Sequence, residues 1–171
     1  LIAQIQENNA NKQTNPKGKT GITVKGIHDV AVRFSRCCAP VPGDEIVGFV
    51  TRGRGISIHR TDCINIMSLS DLDRSRLIDA EWQPEEAAER KEKYLTEIVI
   101  YAQNRSGLLA DITKALTEKN IDIRSVNTRT NKQDIASIAM TFEITCREEL
   151  QMIVDKLRLI DSVIDIERTT G

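Results

Sequence analysis

Among 171 residues are four cysteines and two histidines, and Cys37, Cys38, His59 and Cys63 all fall within the stretch RCCAPVPGDEIVGFVTRGRGISIHRTDC. Thiolate and imidazole are the donors that zinc takes in a tetrahedral site. If His59 ends a strand and Cys63 enters the first turn of a helix, the spacing His59-x3-Cys63 lets both turn toward one point. Adjacent residues of a strand point to opposite faces, so Cys37 and Cys38 can share an ion only where the chain bends. CCAPVPG supplies that bend, because two prolines and a glycine exclude regular structure immediately afterward. Spacing alone leaves this metal site level with a second explanation, in which the cysteines are small buried hydrophobes. A third has a cysteine nucleophile with His59 as base and Asp62 orienting it, but it lacks an evident oxyanion donor. His28, in GIHDV, reads as a turn residue, and Cys146, at the end of TFEITC, as packing.

Two other groups carry chemistry. Arg33, Arg36, Arg52, Arg54 and Arg60 cluster around the cysteines, two of them on the glycine turn RGRG. The planar guanidinium fork suits phosphate and guanine edges, so as a set they fit RNA, against the alternative of a solvated charged face. Further along, QNRSGLLADI sets Asn104, Arg105, Ser106 and Gly107 between a strand and a helix start. Free amides there can seat the carboxylate of a small amino acid, and a glycine leaves room for it. The simpler alternative is that Ser106 or Asn104 caps the helix.

The elements that must position these residues read as α+β. Residues 7–20, ENNANKQTNPKGKT, are polar and nearly free of apolar side chains, and 1–20 is predicted to be a disordered linker. GITVKGI, VAVRF, EIVGFV, GISIH and RLIDAEW read as short strands separated by glycine turns, with Thr61 or Asp62 capping a short helix through Met67. That is a small β-rich cysteine-containing module over 21–82. Charge-dense QPEEAAERKEK, 83–93, is the expected linker to a second module at 94–171. There YLTEIVIYA alternates as a strand, and LLADITKALTEKN puts Leu108, Leu109, Ile112, Ala115 and Leu116 on one helical face. Two strands around NKQD follow, then a helix with Leu150, Ile153, Val154 and Leu157 inward, then VIDIER. The order β-α-β-β-α-β is the ferredoxin-like split arrangement, which leaves the other sheet face or an edge for a partner.

Composition narrows the classes. Aromatics make up only 4% of the chain, so two cores must be built from Ile, Leu, Val and Ala, and a module of about 60 residues made that way is marginal without a staple. A formal net charge of -1 offers no global pull on nucleic acid or membrane, and binding must come from local patches. No apolar run approaches the roughly 20 residues of a membrane span and no signal peptide is read, so a cytoplasmic location is expected, where thiols stay reduced. A start at Leu1 suggests an excised fragment.

Taken together, RFSRCCAPVPGDEIVGFVTRGRGISIHRTDC, RLIDAEW and NRSGLLADIT resemble the C-terminal regulatory region of long RelA/SpoT-homologue (Rel) stringent-response proteins. In that family a zinc-finger-like, ribosome-intersubunit module precedes an ACT domain. The resemblance implies a parent that transfers pyrophosphate from ATP to GTP or GDP to make (p)ppGpp, and in many members hydrolyses it, in N-terminal catalytic domains outside this chain. It implies a non-catalytic region that senses the ribosome (rRNA) and its A-site tRNA, controls those catalytic domains, and forms a homodimer through the ACT domain. Carried over residue by residue, the zinc ligands fall on Cys37, Cys38, His59 and Cys63, and the ACT ligand loop on Asn104, Arg105, Ser106, Gly107, Leu108 and Leu109. Many ACT loops have Asp where this chain has Asn104, which weakens the case for holding the ammonium of a branched-chain amino acid.

Overall fold

A computed structural model describes residues 21–26, 30–83 and 92–170. The expected linker at 1–20, His28, and residues 84–91 of the expected charged linker lie outside the described residues.

Short β-branched runs build the first sheet. Its strands are β1 (Ile22–Val24), β2 (Val32–Phe34), β3 (Ile46–Val50), β4 (Ile56–Arg60) and β5 (Leu77–Trp82), in the order β1-β5-β3-β4-β2. All pairings are antiparallel except β2 with β4. Alternation divides the sheet into two dissimilar faces. Ile22, Val24, Ile56, Ile58 and Ala80 form an aliphatic cluster with Phe34 and Trp82 against it, while Val47, Phe49 and Leu77 pack instead with Cys38, Cys63 and Ile66. Because β4 alternates, Ile58 belongs to the aliphatic face and His59 to the cysteine face.

The β3–β4 hairpin closes through Gly53 and Gly55, both with positive φ, 79° and 78°. At Gly55 a side chain is excluded, since a Cβ there would meet Ala31 O at 2.2 Å. Two one-turn helices, α1 (Ile64–Met67) and α2 (Asp71–Arg74), follow β4. The expected cap at Thr61 or Asp62 is not the one formed: Cys63 occupies the N-cap position with no side-chain cap hydrogen bond. Thr61 and Asp62 turn their side chains to Glu45 and Arg60 instead.

The second module follows the expected order: β6 (Tyr94–Gln103), α3 (Leu108–Glu118), β7 (Ile123–Thr130), β8 (Ile135–Ile144), α4 (Arg147–Arg158) and β9 (Val163–Arg168). Its sheet runs β7-β8-β6-β9, antiparallel throughout. Both helices cover the face carrying Ile98, Ile100, Ala102, Ile138, Met140 and Phe142, through Leu108, Ile112 and Leu116 of α3 and Leu150, Ile153 and Leu157 of α4. Leu109, expected on the buried face, is 43% exposed. Cys146 is the N-cap residue of α4 rather than the end of a packed strand. The two modules touch. Val41, from the loop after the cysteine pair, is fully buried in the second module's core.

Candidate metal centre and flanking surfaces

Cys37 and Cys38 sit in a turn directly after β2, where Ala39 N–H donates to Ser35 O (3.1 Å) and Ala39 takes a positive φ of 43°. The expected bend is therefore present, one residue before the first proline, and it aims both thiols at β4. His59 comes from the cysteine face of β4, and Cys63 from the turn into α1. One ligand atom from each of the four residues lies within 4.8 Å of all the others. Cys37 Sγ is 3.4 Å from His59 Nδ1 and 3.4 Å from Cys63 Sγ, Cys38 Sγ is 3.8 Å from Nδ1, and the Cys37 and Cys38 sulfurs are 4.0 Å apart. Thiolates at about 2.3 Å from a tetrahedral zinc are separated by about 3.8 Å. The donors are spaced as the corners of such a site.

Supporting contacts fix the ligands. His59 presents Nδ1 to the sulfurs because Ser57 Oγ lies 3.1 Å from Nε2, a residue two earlier on the same face of β4. Arg60 N–H donates to Cys38 Sγ (3.3 Å), and Ser35 Oγ is 2.9 Å from Cys37 Sγ. Burial pushes the Cys38 thiol up to about 12 and also raises Cys63. Burial opposes ionisation of Cys37 as well, yet hydrogen bonding from Ser35, Asn65 and the neighbouring thiols outweighs it and leaves that thiol below its ordinary value. Three crowded thiols, two of them reluctant to ionise alone, suit a dication that deprotonates what it binds. A thiol nucleophile is poorly served: Asp62, the expected orienter of His59, binds the Arg60 guanidinium at 2.9 and 2.5 Å.

Burial also holds His59 below its ordinary 6.5. In the metal-free chain, unfolded His59 takes up a proton as pH falls through about 6.5 while the folded ring does not, so folding weakens there. The contribution is complete above the unfolded value and lost as pH falls through the depressed folded one. Urea titrations from about pH 7.5 down to about pH 5 should show this loss, and His59→Gln should remove it.

The arginines divide. Arg33, Arg36, Arg52 and Arg54 are exposed. Arg60 departs from the expectation of an RNA-facing residue: it is 6% exposed, and its guanidinium donates to Asp62, Cys38 O and Thr169 O. In the second module, α3 starts at Gly107 with φ 76° and no side-chain cap, so neither Ser106 nor Asn104 caps it. Asn104 Nδ2 donates to Asp134 (3.3 Å), and Arg105 binds Asp111 (2.7 Å) and Ser162 (3.2 Å). Leu108 is buried and Leu109 half-exposed. The loop residues come together, with Asn104 and Arg105 already engaged by the protein itself.

A strand-rich module with a Cys3His cluster leading into a βαββαβ sheet defines a two-domain unit. Residues 22–83 match the RelA/SpoT RIS domain and residues 90–168 the ACT domain. The chain belongs to the RelA/SpoT family, of which it carries these two domains. A GTP pyrophosphokinase of Streptomyces coelicolor is 39% identical over 151 residues, 88% of this chain and 17% of its own length. The bifunctional (p)ppGpp synthase/hydrolase RelA of Mycobacterium tuberculosis is 37% identical over 151 residues, 88% of this chain and 20% of that protein. The chain thus spans about a fifth of these relatives. A solved ACT domain from the GTP pyrophosphokinase of Chlorobium tepidum, 23% identical, covers 45% of this chain and 99% of its own at a TM-score of 0.41. Among the described residues no helix is long and apolar enough to cross a membrane.

Proposed function

We propose that this chain is the non-catalytic regulatory region of a cytoplasmic GTP pyrophosphokinase of the stringent response. Its RIS module holds zinc through Cys37, Cys38, His59 and Cys63 and meets ribosomal RNA and A-site tRNA through Arg33, Arg36, Arg52 and Arg54. Its ACT domain joins a second copy through the open sheet face, and the pair controls catalytic domains elsewhere in the parent. The observation that carries this reading is the convergence of four metal-type donors in a domain matched to the RIS family, beside exposed arginines. Zinc fits as a structural ion, since three thiols and an imidazole close its coordination and leave no position for a substrate.

Replacing Arg33, Arg36, Arg52 and Arg54 together by glutamine should weaken binding to ribosomes and flatten its salt dependence by on the order of one slope unit for each phosphate no longer neutralised. Binding measured by sedimentation over a range of salt concentrations checks it. Unchanged affinity and slope would sink the arginine surface.

A second reading, an amino-acid sensor with the RIS module as spacer, draws on the uncapped start of α3. There Gly107 leaves space in which an added Cβ would meet only Arg105 Nη1, at 3.9 Å. Calorimetry with branched-chain amino acids on wild type and Gly107→Val discriminates the two.

A further inference from the structure

Residues 39–44 connect two things that have no local reason to meet. At one end the chain leaves the thiols of Cys37 and Cys38. Five residues after the turn at Ala39 it reaches Asp44, having sunk Val41 into the ACT core at 0% exposure, with Pro40 and Pro42 buried beside it. Asp44 is 8% exposed. It accepts from Val41 N–H (2.8 Å) and grips Arg168 of β9 through both carboxylate oxygens, at 2.7 Å each. Arg168 also donates to Ala39 O (3.0 Å), and Arg147 N–H, opening α4, donates to Pro42 O (2.8 Å). Gly43 lets the loop lie against α4, because a Cβ there would sit 2.9 Å from that of Arg147.

The other two ligand segments reach the same end of the ACT sheet. Arg60, next to His59, donates to Cys38 O and Thr169 O, both at 3.2 Å. Ile64, next to Cys63, donates its N–H to Thr170 O (2.8 Å). Every ligand-bearing segment therefore has a neighbour that holds β9 or the residues just after it.

We propose that the 39–44 loop is a latch through which occupancy of the Cys3His site and docking of the ACT domain are thermodynamically linked. An ion that fixes Cys37, Cys38, His59 and Cys63 fixes the start of the latch and both flanking tethers, so it favours the docked arrangement. Docking in turn preassembles the ligands. Linkage is reciprocal: whatever loosens the ACT seam weakens the ion by the same factor. The proposal rests on the metal reading above.

The chain carries its own reporter. Trp82, the single tryptophan, donates Nε1–H to Asp44 O (3.0 Å) and stacks on Phe34 at 5.7 Å, with Tyr94 of the ACT domain edge-on to both rings. The experiment uses the whole chain, with zinc content measured first and zinc affinity then read by competition with a chromophoric chelator. Val41→Ala and Arg168→Met, which touch no ligand, should each weaken zinc on the order of tenfold, within the range typical of coupled sites. Ile123→Val, a core-facing change on β7, the edge of the ACT sheet opposite β9, should leave it unaltered. Stripping zinc from wild type should shift Trp82 emission and speed amide exchange in β9.

Stoichiometric zinc whose affinity is unchanged in both seam variants overturns the latch and leaves the metal site standing. A wild-type chain that binds no zinc overturns both, and the zinc measurement alone separates the two failures.

Discussion

Cys63→Ser is expected to release zinc and to unfold the RIS module at temperatures where the ACT domain remains folded. The reason is the size of what is left. The aliphatic face of the first sheet buries Ile22, Val24, Ile56, Ile58 and Ala80, and the opposite face is built around the cysteines themselves. A module of roughly 60 residues with so small a core is marginal. A structural zinc contributes on the order of 10 kcal/mol of apparent binding free energy to such folds at neutral pH. Cys63 is fully buried, so serine also leaves a hydroxyl in a pocket shaped for sulfur. Thermal unfolding followed at Trp82, which lies in the RIS module, should drop by tens of degrees, while far-UV circular dichroism of the ACT helices shifts down only by what docking contributes. Elemental analysis should find wild type near one zinc per chain and the variant near none. A chelator added to wild type should reproduce the variant's melting curve. If zinc is absent from wild type, or Cys63→Ser melts at the same temperature as untreated wild type, the ion has no structural role.

How much of this was legible beforehand depends on whether a residue's signal is local. The ACT sheet was, because in β6 and β8 every second residue is apolar and buried, from Ile98 to Ala102 and from Ala136 to Ile144. The helices were too, except at Leu109, which lies about 100° around α3 from Leu108 and so off the buried face of Leu108, Ile112, Ala115 and Leu116. Helix α2 carries no signal, since a single turn of Asp, Leu, Asp and Arg has no periodicity to read. The ligand types were legible as chemistry, and so in principle was Ser57, two residues before His59 on an alternating strand. The seam was not. Val41 looked like a residue in a proline bend and Asp44 like a turn aspartate. Arg168, 124 positions later, looked like the charged end of a strand. Nothing in one sequence pairs an acid with a base at that separation, and the same distance hid the burial of Arg60, whose partner Thr169 lies at the opposite end of the chain.

That hidden pair carries the second large effect. Asp44→Ala should destabilise the docked chain by about 3–5 kcal/mol, the cost typical of leaving one member of a buried ion pair uncompensated. The Asp44 and Arg168 side chains are 5% and 16% exposed, so solvent screens the exchange little. Two further losses accompany the charge: Val41 N–H surrenders its buried acceptor, and Arg168 Nε, already without a partner among the described residues, becomes part of a guanidinium that keeps only Ala39 O. Replacing both partners by apolar residues of similar volume, Asp44→Leu with Arg168→Met, removes the stranded charge and should recover a large part of the loss, since buried ion pairs exchanged for well-packed apolar side chains are often close to neutral. The double-mutant cycle, measured by urea unfolding with Trp82 emission and circular dichroism recorded together, should give a coupling energy above about 1 kcal/mol, as expected of residues in direct contact. Additive single effects would mean that Asp44 and Arg168 do not share a buried bond in solution. Trp82 and the ACT helices would then unfold in separate transitions rather than one.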